Sequence, residues 1–307
     1  MELIRWCLAL VMVVLLVVGC STTQFNVPAV SPDGDGTRLP GKVVWHDLLT
    51  DTPVQTQLFY QGLFGWEFEP LNAGGANYVL IRHQGKLIGG MVDQNHLPTS
   101  ADISQWVIVV SVTDVERATA KVRGAGGTVY TPPTSLGDRG EIAVVADAEG
   151  ALFALLQTRD GDPQDQDTVP AQGEFLWDEL WADTLDEAAA FYSSMAPYGL
   201  LSKELGGPEN SVDYRVLSTQ GRPRAGIRPN PVEGLPPMWV SYLRIADAEA
   251  LDALLAKVES LGGEILVPAI SRPRGGKVAL IAGPSGAGIA LQTWSNERTP
   301  GSFMEGG

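Results

Sequence analysis

Apolar residues come in short runs separated by turn residues, and the spacing switches between a period of two and a period near 3.6. Residues 42–49 read as a strand. Asp51 or Thr52 then caps a helix with Pro53 in its first position, and Val54, Leu58, Phe59 and Leu63 make its buried stripe. Strands follow at 77–82 and 86–91 around a Gln84-Gly85 turn, and another at 106–112. Asp114 caps a second helix with Val115, Ala118 and Val122 on one face, ended by the glycines at 124–127. Strands at 142–146 and 152–157 close the unit around a turn at 147–150. The order is β-α-β-β-β, twice.

The whole unit then returns. Gly41–Trp66 has a degenerate copy at Gly173–Leu200, in which Trp45, Asp47, Leu48, Asp51, Thr52 and Phe59-Tyr60 answer to Trp177, Glu179, Leu180, Asp183, Thr184 and Phe191-Tyr192. Every pair shares one offset, so the copy is in register without a gap, and a repeat of this size decides the architecture. Thr184 with Glu187 reads as a capping box. Asp247 caps a later helix buried through Leu251, Leu254, Leu255 and Val258. The expected plan is α+β: a domain at 41–158, an acidic linker at 159–172 with little to bury, a second domain at 173–294, and a tail at 295–307. Each half should own its core.

Composition changes this picture at the N-terminus. Residues 1–20 hold Arg5 and an apolar run from Trp6 to Val18, the length of a signal-peptide core rather than a spanning helix. The ending Val17-Val18-Gly19-Cys20 resembles the bacterial lipobox, which implies a lipid on Cys20. Residues 21–40, polar and rich in Pro and Gly, read as a flexible tether. The expected location is the cell envelope, on the outer membrane facing the periplasm in a Gram-negative cell. Cys7 and Cys20 are the only cysteines, so neither a disulfide framework nor a thiol nucleophile is available to the domains. A net charge of −15 without any Lys/Arg cluster argues against nucleic acid as a partner.

The strand with W-x-[DE]-L, the following Asp and the helical Phe-Tyr resemble the vicinal oxygen chelate superfamily, which includes glyoxalase I, bleomycin-resistance proteins and extradiol dioxygenases. Asp114 before a helix, Gly126-Gly127-x-Val129 and Asp147-x-x-Gly150 extend the likeness across nearly all of both globular regions. The resemblance implies two tandem domains of paired βαβββ modules, each curled around a cup that holds ligand and metal, packed together as an intrachain pseudo-dimer. It also implies metal ligands at Trp45, at Trp106 or Val107, and at Ala154, with Trp177, Trp239 or Val240, and Ala290 in the second domain. None of these side chains binds a divalent cation well. No metal and no cofactor is therefore expected.

What remains for chemistry is sparse. Asp47 and Glu179 share a strand face with Trp45 and Trp177 and should enter the cups, as weak candidates for a general base. The bland alternative is that Arg82 or Arg215 satisfies them. Trp45, Tyr78, Arg82 and Trp106, with Trp177, Tyr214 and Trp239, are the candidate ligand-binding residues, the rings serving as stacking surfaces or as plain core. His46, His83 and His96 read as surface or local hydrogen-bonding residues. No Ser-His-Asp arrangement, phosphate loop or dinucleotide fingerprint occurs. The leading expectation is a tethered, metal-free protein that binds an unknown small molecule. The alternatives are a lyase, isomerase or dioxygenase of the superfamily, and a non-catalytic envelope scaffold.

Overall fold

The computed structural model describes residues 26–71, 78–97, 101–205, 212–272 and 276–294. The segment expected to be a signal peptide, with Cys20, the start of the expected tether and the tail from 295 lie outside these residues. The first half runs β1 (Val43–Thr50), α1 (Pro53–Phe64), β2 (Glu67–Leu71), β3 (Tyr78–His83), β4 (Lys86–Asp93), β5 (Gln105–Ser111), α2 (Val115–Gly124), β6 (Thr128–Ser135), β7 (Gly140–Ala146) and β8 (Leu152–Thr158). The second runs β9 (Phe175–Ala182), α3 (Leu185–Met195), β10 (Gly199–Leu205), β11 (Val212–Thr219), β12 (Arg222–Pro229), β13 (Met238–Ile245), α4 (Ala248–Val258), β14 (Glu264–Ser271), β15 (Lys277–Ala282) and β16 (Gly288–Thr293).

Each half is one eight-stranded sheet, in the order β2-β3-β4-β1-β5-β8-β7-β6 and β10-β11-β12-β9-β13-β16-β15-β14. The fold class is α+β, with two βαβββ modules per sheet. Within each module the helix is the crossover that lets the last strand return parallel to the first, β4 to β1 and β8 to β5, and β1 pairs antiparallel with β5 across the module boundary. The strands not expected from the sequence, β2 and β6 with β10 and β14, are the sheet edges. Burial alternates along β6 and β14, whose second face is solvated, and Pro132-Pro133 is tolerated in β6 because an edge strand has one unpaired side.

The helices bury other faces than periodicity suggests in one case. In α1 the buried residues are Thr56, Phe59, Tyr60 and Leu63, whereas Val54 and Leu58 of the expected stripe are 63% and 60% exposed. Asp114 and Asp247 cap α2 and α4 as expected, accepting from Arg117 N and Ala250 N at 2.8 Å. The Thr184–Glu187 capping box does not form, since the Thr184 side chain makes no cap bond. Glu149 of the first half caps α3 instead, accepting from the backbone N–H of Thr184 at 2.7 Å and of Asp183 at 3.0 Å.

The halves do not own separate cores. One apolar cluster joins Ile108, Val115, Val122 and Phe153 to Leu180, Phe191, Tyr192 and Trp239. Another joins Leu48, Phe59, Tyr60, Trp66 and Trp106 to Leu243, Leu254, Ile281 and Leu291. Each shared core therefore pairs a module of one half with a module of the other. The two remaining clusters, one around Trp45, Tyr78, Val107 and Ala154 and the other around Trp177, Tyr214, Val240 and Ala290, fill the opposite, concave faces of the sheets.

The connecting segments are also tied down. Val27 is 1% exposed within the first concave cluster, and Arg38 donates to Thr158 O at 2.6 and 2.8 Å. In the linker, Asp162 is fully buried, accepting from Leu39 N and from the hydroxyls of Ser111 and Thr158. These carboxylate bonds leave no orphaned polar group, which is what lets polar, Pro-rich chain lie on the domains. Among the described residues no helix is long and apolar enough to cross a membrane.

Candidate functional site

The same set of side chains recurs on both concave faces. In the first cup, Asp47 Oδ1 accepts from Tyr78 Oη at 2.6 Å and from Trp45 Nε1 at 2.9 Å, while Trp45 Nε1 lies 3.0 Å from Tyr78 Oη. In the second, Glu179 accepts from Tyr214 at 3.0 Å and Tyr242 at 2.5 Å, and Trp177 Nε1 donates to Tyr214 at 2.9 Å. Strand alternation places Trp and carboxylate two residues apart on one face of β1 or β9, and the tyrosine reaches them from β3 or β11 across the intervening β4 or β12. Glycine at 90 and 226 makes room, since a Cβ there would lie within 2 Å of the Tyr78 or Tyr214 hydroxyl.

Each cup also holds an arginine from the segment between its sixth and seventh strands. Arg139 lies over the Trp45 ring at 3.9 Å and donates to Tyr78 Oη at 3.0 Å. Arg272 reaches Glu179 at 3.5 Å and lies 5.6 Å from the Tyr242 ring. Burial pushes the Tyr78, Tyr214 and Tyr242 hydroxyls above the usual phenol range, and the adjacent carboxylates push further the same way. The phenols therefore stay protonated and act as donors. Burial opposes the charge on Arg272, but Glu179 and the phenol oxygens outweigh it and hold the guanidinium protonated.

The structure sorts the sequence candidates. Trp45, Tyr78, Trp177 and Tyr214 enter the cups, with Asp47 and Glu179. Trp106 and Trp239 do not: they sit in the shared cores and donate to Tyr60 and Tyr192, each at 2.9 Å. Their neighbours Val107 and Val240 face the cups instead, as period-two alternation requires. Arg82 is also outside. The register shifts between Ile81 and Arg82, which breaks its period-two relation to Tyr78, and Arg82 pairs with Glu69 at 2.9 Å. Arg215 pairs with Asp186 rather than with Glu179. Arg139, Arg272 and Tyr242 had no signal in the chain. The arginines come from different positions along their hairpins, so the repeat does not align them, and Tyr242 answers to the apolar Val109 in the strand registers.

Two histidines prove to be buried. His46 bonds Asp178 at 3.0 Å and stacks on Phe175 with ring centroids 3.6 Å apart, and His83 bonds Gln172 O at 2.9 Å. His96 is exposed beside Asp93. Between the halves, a cleft of about 270 Å³ is lined by residues that include Lys42, His46, Trp177, Arg222 and Arg224, with Asp165 of the linker among the cations. Arg224 holds Asp165 with two bonds, at 2.6 and 2.9 Å, and Lys42 lies 3.1 Å away. Burial alone would raise the Asp165 pKa, but the bonds from Arg224 and Lys42 prevail and hold it at about 2.

No protein-family profile matches the chain. CFP32 of Mycobacterium tuberculosis (strain CDC 1551 / Oshkosh), provisionally named a glyoxylase, is 29% identical over 248 residues, covering 79% of this chain and 91% of its own. The anthracycline biosynthesis protein DauV of Streptomyces sp. (strain C5) is 29% identical over 265 residues, covering 82% and 93%. The Mn(II)-bound glyoxalase of Novosphingobium aromaticivorans matches in fold with a TM-score of 0.56 at 14% identity, over 84% of this chain and 85% of that one. The 2,2',3-trihydroxybiphenyl 1,2-dioxygenase of Sphingomonas wittichii strain RW1 matches with 0.56 at 18%, over 84% and 92%. The chain shares the fold of that glyoxalase and that dioxygenase, as two tandem eight-stranded sheets.

The positions expected to ligate a metal do not fit a cation. The strand register puts Val109, not Trp106 or Val107, between Trp45 and Ala154 in one cross-strand row of the first cup, and Tyr242, not Trp239 or Val240, between Trp177 and Ala290 in the second. The tyrosine oxygen is committed to Glu179, and indole and alkyl groups offer no useful lone pair. Among the described residues, no three His, Cys, Asp or Glu side chains come together to hold a metal ion.

Proposed function

We propose that this chain is a tandem member of the vicinal oxygen chelate superfamily that binds a small molecule in its cups through hydrogen bonds and ring stacking, without a coordinated metal. The observation that supports the reading is the recurrence, in both cups, of a carboxylate already bonded by a tyrosine, with a tryptophan beside them and an arginine from the same hairpin. A superfamily catalyst uses its cation to stabilise developing negative charge. Here the charged groups of each cup are an arginine and a carboxylate, joined through Tyr78 in the first cup and paired directly in the second, a set suited to orienting a polar ligand against an aromatic wall. The ligand class to screen first is a planar ring system with polar substituents, since one relative is named for anthracycline biosynthesis.

The test is a thermal-shift screen of the full chain with planar aromatic compounds, together with elemental analysis. Metal content well below one Zn, Fe, Ni or Mn per domain, with no change of melting temperature in EDTA, is expected. One tightly held transition metal per domain would overturn the reading.

An enzymatic reading draws on the names of the relatives, one a provisional glyoxylase and one a biosynthesis protein. It would rest on Asp47 or Glu179 as proton acceptor. Turnover abolished by Glu179→Gln and by Asp47→Asn, at unchanged ligand affinity, would favour it. We further propose that Cys20 carries a lipid that tethers the domains to the envelope. Incorporation of a labelled fatty acid into the full chain, lost in Cys20→Ala, is the expected result.

A further inference from the structure

We infer that the first cup is an oxyanion-binding site held closed by the chain's own segment at 26–30, with Arg139 as the anchor that a ligand must win. The inference rests on the proposed small-molecule reading of the cups and adds the ligand's charge and the device that controls access. Arg139 is 2% exposed. Its guanidinium has five N–H donors: Nε donates to Pro28 O at 3.0 Å, Nη1 donates to Tyr78 Oη at 3.0 Å, and Nη2 is buried without a hydrogen-bond partner. Among the described residues it forms no direct ion pair, because the Tyr78 hydroxyl stands between it and Asp47. A buried cation in this state is costly. The second cup differs: Arg272 is paired with Glu179 and also bonds Gln292.

The groups now on Arg139 are those a ligand would supply. A peptide carbonyl, Pro28 O, sits where one oxygen of a carboxylate would sit, and the free Nη2 is the donor for its second oxygen, as bidentate recognition by arginine requires. Val27, the residue before it, is 1% exposed in the apolar cluster with Trp45, Tyr78, Val107 and Ala154, in the place of a ligand's apolar body. Of the plug, Val27 is buried, 28–30 are half-buried and Asn26 is exposed, and few bonds hold it. Val27 N donates to Leu136 O at 2.9 Å, and Asn26 exchanges bonds with Asp138 at the surface. A plug covalently attached to its own site competes at high effective concentration, so a free ligand binds the intact chain weakly. The fitting ligand is a carboxylate on a compact apolar or aromatic body.

Benzoate is the probe. In hydrogen-exchange mass spectrometry on the full chain, saturating benzoate should speed exchange of the peptide that contains Val27 and leave that of β9 unchanged. In calorimetric titrations, a chain beginning at residue 31 should bind benzoate at least ten-fold more tightly than the full chain. Arg139→Lys should remove that gain, while benzamide should bind neither chain. Unchanged exchange at Val27 under saturating benzoate would overturn the inference even if the truncated chain fails to fold, and would mean that water alone satisfies Arg139. Binding of other compounds in the second cup, lost in Tyr242→Phe, would leave the small-molecule reading standing in that event.

Discussion

His46 and Asp178 occupy the same position in the two copies of the repeat, 132 residues apart, and they bond each other, Nε2 to Oδ1 at 3.0 Å. Identical residues there would place two imidazoles or two carboxylates face to face on the approximate two-fold axis. Divergence of one copy turns that clash into a complementary pair, and Ser241 Oγ adds a second donor to Asp178 at 2.6 Å. His46→Asp should destabilise the chain by about 3 kcal/mol, the scale of an uncompensated buried charge. The swap His46→Asp with Asp178→His should recover part of the loss in a urea-denaturation cycle. Full additivity of the two substitutions would show that the pair is not coupled.

Trp106 and Trp239 belong to the shared cores and not to the cups. Trp106→Ala should cost about 3–5 kcal/mol as a cavity in a packed interior. Trp106→Phe, which keeps most of the volume and loses the bond to Tyr60, should cost about 1 kcal/mol or somewhat more. Either substitution should leave the affinity of a cup ligand unchanged once the protein is folded, as measured by titration below the melting temperature.

The N-terminus of α3 is capped from the other half of the chain. Glu149→Gln keeps an acceptor but loses the charge, and Glu149→Ala loses both, so stability should fall in that order, by up to about 1–2 kcal/mol. Glu187→Ala should be nearly silent, because the local capping box is not made. Thermal denaturation of the three variants checks the ranking.

Asp165 has a folded-state pKa of about 2, below its ordinary value of 3.8. A carboxylate depressed on folding contributes stability above its unfolded pKa and loses it as pH falls through the folded one. The full chain should therefore lose urea resistance between about pH 4 and pH 2, and Asp165→Asn should show a shallower fall across that window. An equally steep fall in the variant would assign the acid sensitivity to other groups.

Local chemistry along the chain determined a great deal. The in-register repeat, the caps at Asp114 and Asp247 and the period-two runs of the inner strands were enough for two α+β domains, because an inner strand is buried on both sides and so must be apolar. Edge strands escaped for the converse reason. Half of β6 and β14 faces water, and a hydrophobic pattern records burial and nothing else. Periodicity also placed Trp45, Asp47, Trp177 and Glu179 on the concave faces, since alternation is a local property of a strand.

What crosses from one half to the other was settled only by the tertiary structure. Leu58 was expected to be buried and is exposed, while Trp106 packs in a core shared with the opposite half and His46 and Glu149 bond across to it, because each half lays its helices on its own sheet and against a helix of the other, α1 on α4 and α2 on α3. Arg82 left the cup through a register shift, Arg139 and Arg272 entered the cups from positions that the repeat does not align, and Tyr242 stands where the first copy has Val109. The segment around Val27, polar and rich in Pro and Gly, reads as tether because local composition reports only the average cost of burying it. One valine and one carbonyl are seated in the first cup, and that depends on a pocket more than a hundred residues away in sequence, where Arg139 waits for an oxygen.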